Sequence, residues 1–191
     1  VEIEADGWVQ RFVEKPQPGE TSSNVVNAGT YVLEPAVLDR IPENQKMSIE
    51  RVVFPAMVAD GRLAAMATDD YWIDTGRPET YLQANLDLID GSRSRILSSV
   101  GVNAHVAASA SITHSVIGDN CVVEDGCVVS DSVLLPGAHI GARVRLERSL
   151  VMGSVGDGAS LVDCVVGLDG HVSPNASLVG VKVPDPSEVA N

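Results

Sequence analysis

Basic residues are scarce in this chain of 191: 13 Lys and Arg stand against 26 Asp and Glu, a formal net charge of −13. That excess repels phosphate backbones and anionic lipid surfaces, which argues against a nucleic-acid or membrane partner. Long apolar runs are missing as well. Nothing approaches the roughly 18 residues that a membrane-spanning helix needs. The opening VEIEADGWVQ lacks the basic-then-apolar layout of a secretory signal. A soluble, cytoplasmic protein is the expectation. Cysteine is limited to Cys121, Cys127 and Cys164. The odd number and the Cys-x5-Cys spacing exclude a disulfide framework and match no zinc pattern. These residues read as small buried hydrophobes in a reduced compartment. A starting Met is absent too, from which a piece of a longer protein is expected.

What is present divides into two patterns. Over residues 1–91, strand-like and helix-like segments alternate, which predicts an α/β fold. Residues 8–15 (WVQRFVEK) read as a strand with Trp8, Gln10, Phe12 and Glu14 on one face and Val9, Arg11, Val13 and Lys15 on the other, and 17–24 read as a loop. Residues 28–33 (AGTYVL), 62–68 (RLAAMAT) and 71–74 (YWID) are further strand candidates, rich in β-branched and aromatic residues. Pro35 opens a short helix that Pro42 closes. Ser48 caps a second helix that Pro55 interrupts and Gly61 ends. Pro78 and Gly91 bracket a third helix, whose Leu82, Leu86 and Ile89 form one apolar stripe. Asp74 then sits between the end of a strand and the start of a helix, where ligands collect in open α/β sheets.

From Val100 onward the period changes. Aliphatic residues recur every six positions: Val100, Val106 and Ile112, then Ile117, Val123 and Val129, then Leu134, Ile140 and Leu146. The tripeptides HSV (114–116), DSV (131–133) and RSL (148–150) repeat at the step of 17 residues that separates these groups, and DCV (163–165) follows two residues early. Val166, Val172 and Leu178 continue the series. Small residues stand four places after many of the aliphatics: Ala104, Ala110, Cys121, Cys127, Ala159 and Ala176, with Val144 in the same place. Gly or Asn marks many of the turns, where positive φ is tolerated. A three-sided coil satisfies this arithmetic, each six-residue unit giving one short strand and one corner. Successive coils pair as parallel strands about 4.8 Å apart, with the aliphatics inside. Four to five coils fit over 100–181, and 182–191 reads as a polar tail.

This spacing resembles the hexapeptide-repeat family, and the resemblance implies a left-handed parallel β-helix. The segments FVEKP (12–16), NAGTYVLEP (27–35), SIERVVFP (48–55) and YWIDTGRPETYLQAN (71–85) resemble the sugar-binding part of nucleoside-diphosphate-sugar pyrophosphorylases. Among these they look most like bacterial mannose-1-phosphate guanylyltransferases. The resemblance spans nearly the whole chain. It implies a nucleotidyltransferase that joins a sugar 1-phosphate to a nucleoside triphosphate and releases pyrophosphate. GTP with mannose 1-phosphate is the expected pair, and glucose-1-phosphate thymidylyl or uridylyl transfer is the alternative. The partners are then small molecules, together with further copies of the chain bound through the β-helix.

Each site residue has a physical role to match. The Glu14 carboxylate accepts hydrogen bonds from sugar hydroxyls, and Lys15 meets the sugar phosphate as a mobile charge. Adjacent strand residues face opposite ways, so both reach one ligand only where the strand ends, an ending that Pro16 favours. By resemblance, Asn27 and Gly29 contact the hexose, Trp72 lines its pocket, and Asp74 is one of two aspartates that hold catalytic Mg²⁺. Lys15 and Asp74 are the expected catalytic groups. Glu50, in the first turn of its helix, reads first as a partner of the helix dipole. The Gly-rich nucleotide loop and the first metal aspartate of the family are absent here. The expectation is therefore a C-terminal fragment without turnover of its own.

Two other classes fit parts of the pattern. A hexapeptide acyltransferase would use His105, His114, His139 or His171 as base, yet each stands at a non-aliphatic position that faces solvent. A non-catalytic regulatory or assembly subunit would use the prism alone.

Overall fold

A computed structural model describes residues 1–91 and 98–184. The chain divides into two compact units, Val1–Trp72 and Ile73–Asn191. The division falls ahead of the third predicted helix.

In the first unit β1 (Glu2–Ile3) and β2 (Val9–Arg11) pair antiparallel, and a single bridge joins Trp8 to Ala64. A 3₁₀ helix covers Pro35–Arg40 and stops before Pro42. Ser48 caps the next helix, accepting the Arg51 N–H on its side chain. That helix begins as a wide π turn over Ile49–Val53 and becomes α-helical as α1 (Phe54–Ala59). Pro55 accounts for the change. It has no N–H to donate, and its ring would strike a carbonyl of a normal preceding turn; the wider turn makes room. Val37, Val53, Phe54 and Met57 form the small core, with Phe12 and Tyr31 packed edge-on against Phe54 at centroid distances of 5.2 and 4.8 Å.

The expected strands are only partly realised. β2 stops at Arg11, residues 62–68 contribute the Ala64 bridge alone, and 28–33 and 71–74 join no ladder among the described residues. Branched and aromatic side chains suit a pleated surface, but a strand exists only where a second backbone meets its N–H and C=O groups.

The second unit holds α2 (Pro78–Ile89) and a parallel β-solenoid of about five turns, consistent with the left-handed hexapeptide coil. Each face is a five-stranded parallel sheet. The first contains His105–Val106, Val122–Val123, His139–Ile140, Ser154–Val155 and His171–Val172. The second contains Ser111–Thr113, Val128–Ser130, Arg145–Glu147, Ser160–Val162 and Ser177–Val179. The third contains Val116–Ile117, Val133–Leu134, Leu150–Val151, Val165–Val166 and Lys182–Val183. Lys182–Val183 thus pairs with Val165–Val166 inside the stretch read from sequence as tail. The rest of that tail, from 185, lies outside the described residues.

The six-residue aliphatics point inward and stack in register. Ile117, Leu134, Val151 and Val166 form one column, and Val129, Leu146 and Leu161 another, all at most 1% exposed. Cys121 and Cys127 are buried among them as free thiols, their Sγ atoms 3.0 Å from the Leu135 and Gly141 carbonyl oxygens. Burial pushes both thiols up from the ordinary value. Over its first four strands the outward column of the third face is also apolar: Val133 and Leu150 are buried, Val116 and Val165 half-buried, and exposed Lys182 ends the column. Helix α2 lies against its Val116–Ile117 strand, with Leu86 buried and Leu82 and Ile89 half-buried.

The repeated tripeptides have a physical basis that periodicity did not disclose. Their central Ser115, Ser132 and Ser149 are buried, and each hydroxyl donates to the carbonyl two residues back at 2.7 to 2.9 Å. Each also accepts the N–H of Ser132, Ser149 or Cys164 in the next coil at 3.0 to 3.1 Å. The first residue of every tripeptide is left-handed: His114, Asp131, Arg148 and Asp163 have φ between 42 and 54°. That conformation costs most for Arg148 and less for Asp and His, and is free only for Gly. Pairing across the coils offsets part of the cost. His114 Nδ1 lies 2.7 Å from Asp131, and Arg148 grips Asp163 through Nε and Nη2 at 2.8 and 3.0 Å.

The two-residue shortening falls between Val151 and Ser154, where Met152-Gly153 replaces a longer corner. A side chain on Gly153 would collide with the Gly170 carbonyl oxygen and stand 2.6 Å from that of Gly167. Both obstacles are backbone and cannot step aside. Gly153→Ala should therefore destabilise the solenoid by about 1–3 kcal/mol, as overpacking does. A lowered thermal midpoint would record it; an unchanged one would show that the short corner has slack.

Candidate functional site

A cavity of about 280 Å³ in the first unit is built from two stretches, the end of β2 with its following turn, and residues 21–27. Glu14, Lys15 and Asn27 all line it. The first two share one side because regular strand geometry has already ended: β2 stops at Arg11, and Lys15 adopts φ 56° just before Pro16. Residues 21–27 alternate in burial with period two, so that Thr21, Ser23, Val25 and Asn27 turn toward the protein.

The cavity carries mixed charge. Arg11 lines it but is committed, its Nη1 donating to the Glu20 carbonyl at 2.8 Å and its head lying 3.4 Å from Glu20 and 3.7 Å from Glu2. Lys15 is exposed and forms no ion pair among the described residues, Glu14 included. It is the uncommitted cation of the site.

Behind Asn27 runs a hydrogen-bonded network. Its Oδ1 accepts the Gly29 N–H at 3.1 Å, and its Nδ2 donates to the Tyr31 hydroxyl at 2.6 Å. Tyr31 donates in turn to Glu50 Oε1 at 3.3 Å, and Glu50 Oε2 accepts from the Ser48 hydroxyl at 2.9 Å. Gly29 serves by conformation, with φ 72° and no atom near enough to crowd a side chain there. Glu50 is held below its ordinary value by its own backbone N–H first and then by Ser48. Burial, first, pushes the Tyr31 hydroxyl up. Charge on Glu50 and Glu14 adds to that effect. Sequence reasoning singled out Asn27, Gly29 and Glu50 but missed Tyr31, whose place between β-like residues disguised it. The cue was available in the fixed spacing of Asn27 and Tyr31 within one motif.

Trp72 ends the first unit, half-exposed, and Asp74 belongs to the second. Asp74 is exposed, and its Oδ1 accepts the Gly76 N–H at 2.9 Å. It does not cap α2, whose N-cap is Arg77 without a side-chain bond. Its second carboxylate oxygen keeps free acceptor capacity. Among the described residues no group of three His, Cys, Asp or Glu is arranged to hold a metal. Asp74 alone fits one carboxylate of an Mg²⁺ site, an ion that takes one or two carboxylates and leaves the remaining positions to phosphate and water.

His105, His114, His139 and His171 are all exposed. His139 is bonded to Glu124 at 2.9 Å and His171 to Ser154 at 2.8 Å, as His114 is to Asp131.

Comparison with known proteins divides the chain near residues 86–91, just ahead of the change in sequence period. Residues 1–91 match the family model of nucleotidyl transferases, and residues 86–169 match that of the GlmU-like C-terminal hexapeptide. The first part of the chain is thus similar to nucleotidyl transferases and the second to a hexapeptide solenoid, as its motifs led one to expect. The relatives it resembles are mannose-1-phosphate guanylyltransferases. A probable mannose-1-phosphate guanylyltransferase 3 of Oryza sativa subsp. japonica is 35% identical over 80% of this chain and 40% of its own length. The mannose-1-phosphate guanylyltransferase catalytic subunit beta of Xenopus tropicalis is 49% identical over 40% of this chain and 20% of its own. A mannose-1-phosphate guanyltransferase of Schizosaccharomyces pombe is 49% identical over 41% and 21%. The chain thus spans between about a fifth and two fifths of the length of these relatives.

The lowered Glu50 sets a sign. A carboxylate depressed in the folded state contributes stability above its unfolded range, and the contribution is lost as pH falls through the folded value. Glu50→Gln should be less stable than the parent at pH 7, and the gap in urea midpoint should narrow as pH drops toward 3. A gap that is constant across that range would remove the charge from the network.

Proposed function

We propose that residues 1–91 are the sugar-1-phosphate-binding part of a nucleotidyltransferase that makes GDP-mannose from GTP and mannose 1-phosphate. The observation that carries this reading is the convergence of Glu14, Lys15 and Asn27 on one cavity from stretches separated in sequence. In the site so read, Glu14 and Asn27 hold hexose hydroxyls. Lys15 meets the phosphate, where an uncommitted ammonium is attracted without first breaking an ion pair.

The chemistry suits such a site. The phosphate of the sugar attacks the α-phosphorus of the nucleoside triphosphate in line, and pyrophosphate leaves. No covalent bond to the protein is needed, so the protein's task is to orient the two anions and offset their repulsion. Lys15 offsets one negative charge directly. Asp74 is proposed to hold Mg²⁺ through the oxygen that Gly76 does not engage, and the bound ion would supply charge neutralisation among the phosphates. The solenoid, whose three parallel sheets stack coil on coil, is proposed to join copies of the chain. The acyltransferase alternative is disfavoured, since three of the four candidate histidines already bond to a neighbouring side chain on an exposed face.

The test is an assay of the full-length protein for pyrophosphate release with GTP and mannose 1-phosphate, run beside dTTP and UTP with glucose 1-phosphate. Guanylyl transfer should dominate; turnover only with dTTP or UTP would transfer the reading to the glucose enzymes. Asp74→Asn should lower metal-dependent turnover by roughly a hundredfold or more, with the melting curve unchanged. Full activity in that variant would take Asp74 out of the mechanism.

A further inference from the structure

We propose that Tyr31 is a positioning residue that sets which way the Asn27 carboxamide faces in the cavity, an inference that rests on the sugar-binding reading of that cavity. The argument is one of hydrogen-bond direction. Glu50 is a carboxylate and therefore only accepts, so the Tyr31 proton is directed to it across 3.3 Å. The Tyr31 oxygen is then left as an acceptor and requires a donor from Asn27, which the 2.6 Å contact with Nδ2 provides. At the other end of the amide the Gly29 N–H only donates, so it requires Oδ1, and receives it at 3.1 Å. The two ends agree. A flipped carboxamide would set N–H against N–H at Gly29 and leave the Tyr31 oxygen without its donor.

The consequence is a fixed pattern offered to a ligand. Asn27 retains one Nδ2–H and one Oδ1 lone pair after these bonds are counted. A donor and an acceptor side by side complement a sugar hydroxyl, which both accepts and donates. They suit a carboxylate or a bare phosphate oxygen less well, because those only accept. Ser48 steadies the arrangement from the helix N-terminus by donating to Glu50 Oε2, and the Tyr31 ring is anchored independently by its edge-on contact with Phe54. Phenylalanine at position 31 would keep that packing and remove only the hydroxyl.

Calorimetric titration of the full-length protein with mannose 1-phosphate tests this. Tyr31→Phe should weaken binding by roughly threefold to tenfold, the range of one ordinary hydrogen bond, while the thermal midpoint falls by no more than about 4 °C. On an Asn27→Ala background the same change should cost nothing further, because Tyr31 acts only through Asn27. Parental affinity in Tyr31→Phe, or an undiminished loss on the Asn27→Ala background, would overturn the inference. Should the parent itself fail to bind mannose 1-phosphate, the sugar-site reading falls, and the positioning role is decided by nuclear magnetic resonance. The Asn27 side-chain amide signals must then shift or broaden in Tyr31→Phe, and unchanged signals sink it. If Tyr31→Phe does not fold, Glu50→Ala takes its place, since it removes the carboxylate that accepts the Tyr31 proton and frees that hydroxyl to turn. Weakened binding that disappears as an effect on the Asn27→Ala background again supports the positioning role, and parental affinity again overturns it.

Discussion

Backbone hydrogen bonds between one coil and the next, closed over an apolar interior, are the constraint on which the second unit rests. A six-residue turn cannot bury its own aliphatic residue or satisfy its own N–H and C=O groups. Both needs are met only by an identical turn directly above or below. The inward columns, the serine hydroxyls that bridge from coil to coil and the paired side chains at the left-handed corners all follow from that requirement of register. Where the period is shortened by two residues, Gly153 keeps the strands in register by letting backbone touch backbone.

The apolar outward column of the third face shows the same logic at the next level. The first face presents histidines and serine among its outward residues, and the second presents many short polar residues. The third presents Val116, Val133, Leu150 and Val165, and the apolar stripe of α2 lies against its first strand. One sequence repeat thus builds three faces of different character, because only the inward position of each unit must stay aliphatic.

The first unit is organised differently. Its core is small, and polar contacts tie its stretches together: Tyr31 to Glu50, Thr21 to Glu2 and Arg11 to Glu20. Glu50 illustrates how local and tertiary explanations combine. A carboxylate in a helical first turn is expected from the dipole alone, and its own backbone N–H is indeed the first cause of its lowered value. Its bond to Tyr31 adds a second role that local reasoning does not reach.

The coil and its period were legible in the sequence, since six-residue spacing follows from a short-range repeat and every unit reports the same geometry. The three helical stretches were legible for a related reason, as caps and prolines act within a few residues. Strand pairing over 28–33 and 71–74 was not, because a pleat-forming composition names no partner. The left-handed His114 and Arg148 were likewise hidden: a search for Gly and Asn at turns passes over residues whose cost is offset by a contact one coil away. By itself, then, the sequence determined the repeat, the buried columns and the motifs that nominate Glu14, Lys15, Asn27 and Asp74. Only the tertiary structure decided that the first three line a common cavity and that Tyr31, bonded to Asn27, meets Glu50. The reason is that a hydrogen bond between residues far apart in the chain depends on how the backbone returns, and no local pattern of side chains specifies that return.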